Sequence, residues 1–232
     1  MPVLDGGGPG GLPSAPSGLN TTQTILLLAG NLLQDQTGTK WGPDRLVPYL
    51  NLAILEIINL KPDAYTNTVD LTLVAGPIQK LPDSFIDMVD AICNLTVGDV
   101  PGRAIKQIEK TALDSLLPGW MTFPSNATVI HAVIDPREPK KLYVFPPQPA
   151  GQANAIRTLM TLSPSPLVET DDAFPLDDSY IAPAVDYLVY RALAEETTIP
   201  NAINKATMFL NKFYQDLGIK KSTGAQQEKK GT

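Results

Sequence analysis

The sequence predicts an α+β fold, in which N- and C-terminal helices form a bundle and an antiparallel β lobe is inserted between them. Three observations carry this. Apolar residues recur at helical spacing early in the chain, at Leu46, Tyr49, Leu50, Ala53, Ile54, Ile57 and Ile58. The middle alternates apolar and polar residues in short runs separated by Pro, Gly and Asp, and the final segment returns to helical spacing. Strands grouped apart from helices point to α+β rather than to a parallel βαβ sheet. The expected parts are a Gly/Pro-rich arm (1–21), a helical lobe made of 22–64 with 178–218, a β-rich lobe (65–177) and a polar tail (219–232).

The elements follow in order. Residues 22–35 predict a short helix with Ile25, Leu28, Leu32 and Leu33 on its inward face. A second helix runs from Asp44 to Leu60. Asp44 is placed to cap it, Pro48 is tolerable only near its first turn, and Lys61-Pro62 ends it. Val69–Val74 has the period of a half-buried strand, and Ala75-Gly76-Pro77 turns the chain into Ile78–Leu81. Ile86–Leu95 is an apolar run open to strand or helix, with strand preferred. Ala104–Ile108 reads as a short strand and Thr111–Leu117 as a helical turn or two capped by Thr111. Thr128–Ile134 and Leu142–Phe145 form a hairpin across Asp135-Pro136-Arg137-Glu138-Pro139, a connection rich in turn formers. Ala155–Leu162 is a further strand, and 163–177 a Pro- and Asp-rich loop. Ser179 is placed to cap a helix to about Glu196 with Ala184, Tyr187, Leu188 and Ala192 inward. The last helix starts near Thr198 or Ile199 with Pro200, carries Ala206, Phe209, Leu210 and Phe213 as its stripe, and closes at Leu217-Gly218.

Composition narrows the function. The 232 residues are 43% apolar, enough for a packed core, and the 22 prolines fit a chain with many turns and strand ends. A net charge of -6 makes a poor grip for nucleic acid, which needs clustered Lys and Arg. The single cysteine, Cys93, excludes an intrachain disulfide and a thiolate zinc cage, and the single histidine, His131, excludes most His-based metal sites. The first residues, Met-Pro-Val-Leu-Asp-Gly-Gly-Gly, lack the basic start and apolar run of a signal peptide, so synthesis in a cytoplasm is expected. Ile25–Ala29 is far too short to span a bilayer.

No catalytic, cofactor or metal constellation emerges. Gly6–Gly11 is followed by no Gly-Lys-Ser/Thr and preceded by no strand, so it is no phosphate cradle. His131 reads as a strand-face residue without a triad or ligand set, and Cys93 as an inert buried thiol. Asp171-Asp172 and Asp177-Asp178 could pair as carboxylates, but they stand just before a helix, where acidic residues favour the positive end of its dipole. Trp41 and Trp120, with Tyr143 and Phe145, lie beside turns and serve either as core anchors or as interface residues.

Several stretches together carry a resemblance. Tyr49-Leu50-Asn51 with Ala53 and Glu56-Ile57, then Lys61-Pro62-Asp63-Ala64, resemble the first core helix and its exit in phage head-to-tail adaptors, the group that includes the tubular-tail-protein-A-like neck adaptors of short-tailed phages. Leu73-Val74-Ala75-Gly76 with Leu81-Pro82, Gly102-Arg103-Ala104-Ile105 and Pro118-Gly119-Trp120 follow in the same order. Ile134-Asp135-Pro136-Arg137 and Tyr143-Val144-Phe145-Pro146-Pro147 resemble that group's central hairpin, and Ala182-Pro183-Ala184, Asp186-Tyr187 and Tyr190-Arg191-Ala192 its penultimate helix. The likeness covers about residues 41–217.

The resemblance implies a structural virion protein made in the host cytoplasm and built into the neck, not an enzyme. It implies a homo-oligomeric ring of about twelve copies between portal protein and tail nozzle or tube. DNA would pass through its lumen without specific binding, with no cofactor and no membrane. The expected partner contacts are the hairpin tip (Asp135, Pro136, Arg137, Glu138), the start of the tail (Ile219, Lys220, Lys221) and two apolar anchors in the arm (Leu4, Leu12). The competing readings are another tail-completion or capsid-decorating protein, a hydrolase using the 171–178 loop, and a DNA-binding module.

Overall fold

A computed structural model describes residues 21–96, 98–196 and 201–219. It divides into two compact units, residues 1–50 with 167–232 and residues 51–166. The fold is mixed α+β: N- and C-terminal helices pack together, and two four-stranded sheets are inserted between them in sequence.

In the first unit, α1 (Thr22–Leu32) is capped by the Thr21 hydroxyl, which accepts the Thr24 N–H. The chain leading into it is fastened to the 170–173 loop, where the N–H groups of Thr22 and Gln23 donate to the carbonyls of Asp172 and Thr170. Its buried face is Ile25, Leu26 and Ala29, not the face through Leu28 and Leu32, both of which are exposed. The sequence around them is apolar on all sides, and Gly30 and Ala29 are the residues small enough for close packing. At Gly30 a Cβ would stand only 3.2 Å from the Asp35 carbonyl oxygen, where the chain turns back.

Helix α2 (Pro43–Leu60) begins with Pro at its first position, where a missing N–H costs nothing. Asp44 therefore lies inside the first turn and is not the cap. Pro48 sits in the second turn on the exposed side of the helix. Its buried stripe is Leu46, Val47, Leu50, Ala53, Ile54, Ile57 and Ile58, which adds Val47 to the expected face and leaves Tyr49 half-buried. The division between the two units falls within this helix.

Helix α4 (Ile181–Ala194) follows a 3-10 turn, Asp178–Tyr180, whose first N–H groups are met by Asp177 rather than by Ser179. It buries Ala184, Val185, Leu188, Val189, Ala192 and Leu193, while Tyr187 is half-buried against Phe213. Helix α5 (Ala202–Asp216) packs on α4 through Ala202, Ala206, Phe213 and Leu217, with Phe209 and Leu210 half-buried. Its expected start at Thr198–Pro200 lies outside the described residues. Gly218 at φ +69° closes it: Gly218 N–H donates to Gln215 O and Ile219 N–H to Tyr214 O, the paired bonds of a Schellman turn.

Among its described residues the second unit holds eight strands. The first sheet has the order β1 (Thr66–Thr72), β8 (Ala155–Leu162), β3 (Phe85–Thr96), β4 (Val100–Ala104) and is antiparallel throughout. The second has the order β2 (Gly76–Lys80), β7 (Lys141–Gln148), β6 (His131–Ile134), β5 (Lys106–Gln107). It departs from the expected all-antiparallel lobe in one place, since β5 pairs parallel to β6. The apolar run at 86–95 is strand, as preferred, with three register shifts against β8 and one against β4. The single strand expected at 104–108 is instead β4 and β5, broken at buried Ile105. Thr111 does not cap α3 (Lys110–Leu116); Glu109 holds that position and makes no side-chain cap.

The sheets face each other across Leu73, Leu81, Met88, Val144, Ile156 and Met160, the main core of the unit. On the other side of β6 and β7, Leu113 and Trp120 pack on Val133, Tyr143 and Phe145. Strand β7 is thus covered on both faces, which explains its unbroken run of apolar residues and prolines. Asn94 ties the layers: its amide accepts from Val129 N–H at 2.7 Å and donates to the carbonyls of Val129 and Arg103 at 2.8 and 2.9 Å.

Candidate interaction surfaces

The β6–β7 hairpin tip is a self-contained polar network. The side chain of Asp135 is nearly buried, and its carboxylate accepts the Arg137 backbone N–H at 3.0 Å and two guanidinium N–H bonds at 2.9 and 2.7 Å. These bonds stabilise the charged form, and the Asp135 pKa falls to about 2, chiefly through the guanidinium contact. Glu138 accepts from the Tyr143 hydroxyl and pairs with Lys141. Its pKa is lowered by Lys141 first and Tyr143 second, and that of Tyr143 is pushed up to about 12, mainly by Glu138. Beneath the tip, Trp120 meets Tyr143 edge to face and donates its indole N–H to Asp114 at 2.8 Å. Trp120 and Trp41 are both buried, as core anchors are.

The tip thus brings Asp135, Arg137 and Glu138 together on a braced turn, with the Arg137 side chain 79% exposed. The other expected contact residues lie elsewhere. Ile219 is half-buried just past the α5 turn, while Lys220, Lys221, Leu4 and Leu12 fall outside the described residues.

The acidic loop organises backbone. Asp172 accepts the N–H groups of Val168 and Glu169 at 2.7 and 2.9 Å, and Asp177 accepts that of Ser179 at 3.0 Å. Both carboxyls are held below the usual carboxylate range by these bonds. An acid–base pair would need carboxylates free to share a proton, and these two are occupied as turn caps. Asp35 plays the same part in the 35–41 loop, accepting from the N–H groups of Thr39, Lys40 and Trp41. Its pKa is lowered, with the Trp41 bond the largest cause. His131 stacks on Phe145, and its buried Nδ1 has no partner among the described residues. Cys93 is a buried free thiol. Among the described residues there is no group of three or more His, Cys, Asp and Glu that could hold a metal ion, and no helix is long and apolar enough to cross a membrane.

The feature that sequence reasoning missed is in the first unit. Leu28 and Leu32 project from α1 at 43% and 48% exposure. With Ile181 and Val185 of α4 they line an open groove of about 540 Å³. Asp186 and Lys212 complete it: Asp186 is buried, and the ammonium of Lys212 reaches both its oxygens at 3.0 and 2.7 Å. Burial pushes the Asp186 pKa up despite the lysine, which pulls the other way. A second cavity of about 280 Å³ lies on the opposite side of α1, between Leu26, Leu27, Trp41 and Thr170. The signal was present in the run Ile25-Leu26-Leu27-Leu28-Ala29, because a helix apolar on all sides needs cover on all sides.

A protein-family model described as "SU10 adaptor protein" matches residues 20–230. No curated protein matches the chain.

Proposed function

The chain belongs to the SU10 adaptor protein family, a family of phage adaptors, and from that membership we propose that it is a ring-forming neck subunit joining portal to tail. The family match over residues 20–230 carries the reading. A ring of about twelve copies, closed by head-to-tail contacts, would surround the DNA path. The charge of -6 per chain supports passage without capture, since an acidic lumen repels phosphate. In this reading the helical lobe, 22–64 with 178–218, builds the wall and meets the portal, and the β lobe, 65–177, faces the tail nozzle or a neighbour.

The braced tip at Asp135–Glu138 is suited to such a contact, because its ordering cost is already met within the fold. The segment from Ile219 through Lys220 and Lys221 would carry its positive charge to the portal, and residues 1–20, with Leu4 and Leu12, would clasp an adjacent subunit. The test is the native mass of the purified chain, alone and mixed with its portal. A closed ring in either sample is the expected result. A chain that stays monomeric in both, and is missing from the neck in a virion map, would overturn the reading.

A further inference from the structure

We propose that the groove between α1, α4 and α5 is the seat for the arm of a neighbouring copy, with Met1, Val3 and Leu4 laid against Leu28, Leu32, Ile181 and Val185. The inference rests on the ring reading and specifies one of its contacts. The groove is apolar and open, and its two α1 leucines take no part in the core, which Ile25, Leu26 and Ala29 fill. Its occupant must therefore bring apolar side chains.

Two stretches of this chain lie beyond the described residues at its ends. Residues 220–232 hold Lys220, Lys221, Glu228, Lys229 and Lys230 and no apolar residue larger than Ala. Residues 1–20 hold Met1, Val3, Leu4, Leu12 and Leu19, with Asp5 as their single charged side chain. The second composition fits the groove. Its prolines at positions 2, 9, 13 and 16 reduce the chain entropy lost on docking.

The arm is long enough to leave its own subunit. Leu4 precedes Thr21 by a stretch that spans about 55–60 Å when extended. The groove lies along α1 itself, whose whole rise is about 16 Å. The apolar end of the arm has the reach for the next subunit.

The test pairs Leu4→Cys with Leu32→Cys in the full chain, leaving buried Cys93 in place, and each single variant serves as a control. Mild oxidation of assembled protein should convert the bulk of the double variant into covalent multimers on a denaturing gel, with the singles giving about tenfold less. An intrachain crosslink that leaves monomers, or no crosslink while rings form, would overturn the proposal. A wild-type chain that forms no ring with its portal would remove the ring reading, and the inference with it. As an independent readout, Leu28→Gln with Leu32→Gln should weaken ring assembly about tenfold without changing the melting temperature of the free chain. Unchanged assembly would count against the groove.

Discussion

The hairpin tip at 135–141 and the groove along α1 are opposites. The tip is polar, projects from the fold, and satisfies its own charges: Asp135 holds Arg137, and Glu138 holds Tyr143 and Lys141. The groove is concave and largely apolar, and it presents large side chains to solvent with no described residue of its own unit laid over them. A rigid polar projection offers shape and a fixed charge pattern, which select a partner. An open apolar trough offers burial, which supplies affinity. The two surfaces are suited to different halves of an assembly contact, and each can be broken without the other.

The largest effect should come from removing the brace of the tip. Trp120→Ala empties a fully buried site and frees Tyr143 and Asp114 from their contacts. It should cost about 4 kcal/mol in urea unfolding, and a cost under about 1 kcal/mol would show that the tip does not depend on it. On the groove side, Lys212→Met strands the buried Asp186 carboxylate. A loss of about 3 kcal/mol at neutral pH is expected, at the low end for a broken buried pair because Lys212 is itself half exposed. The folded pKa of Asp186 already lies above its unfolded value through burial. The penalty therefore applies above that raised pKa and is relieved as pH falls through it, so the variant should recover towards wild type in acid.

A subtler difference should appear at the tip. The Asp135 pKa is depressed to about 2, so its contribution is complete above the unfolded carboxyl range near pH 4 and disappears as pH falls through about 2. Carboxyl NMR titration should find its midpoint well below those of solvated aspartates, and Asp135→Asn should flatten the acid limb of the stability curve. The smallest effect should be at the groove's leucines. Leu28→Gln and Leu32→Gln should each change free-chain stability by no more than about 0.5 kcal/mol. Ile25→Ala, on the buried face of the same helix, should cost about 3 kcal/mol. Equal costs at the two faces would mean that the groove is core.

Much of the fold was legible because local patterns and burial agree. Helix α2 carries one apolar stripe on an otherwise mixed surface, and the alternation at β1 matches its alternating exposure. The β6–β7 hairpin was announced by its turn residues. Legibility failed where a local pattern had more than one solution. In α1, apolar residues surround the helix, so periodicity could not decide whether Leu28 or Leu26 faces inward. At 104–108 no turn residue marks the point where the chain changes sheets at Ile105. The caps at Asp44, Thr111 and Ser179 were each misplaced: α2 already starts at Pro43, which puts Asp44 inside the first turn, and Glu109 and Asp177 hold the other two cap positions. The tip residues were picked out as turn formers, but nothing in their order revealed that the charges close on one another. The groove was missed altogether, since it exists only once α1, α4 and α5 are brought side by side.

The turn at Gly218 has a directional consequence. With Ile219 N–H locked to Tyr214 O, the backbone reverses its heading within one residue of the end of α5 and cannot extend the helical rod. Whatever follows is launched from a point fixed on the α5 terminus, along a bearing chosen by a single left-handed torsion. Gly218→Val, which resists that torsion, would swing the heading of the chain at Ile219.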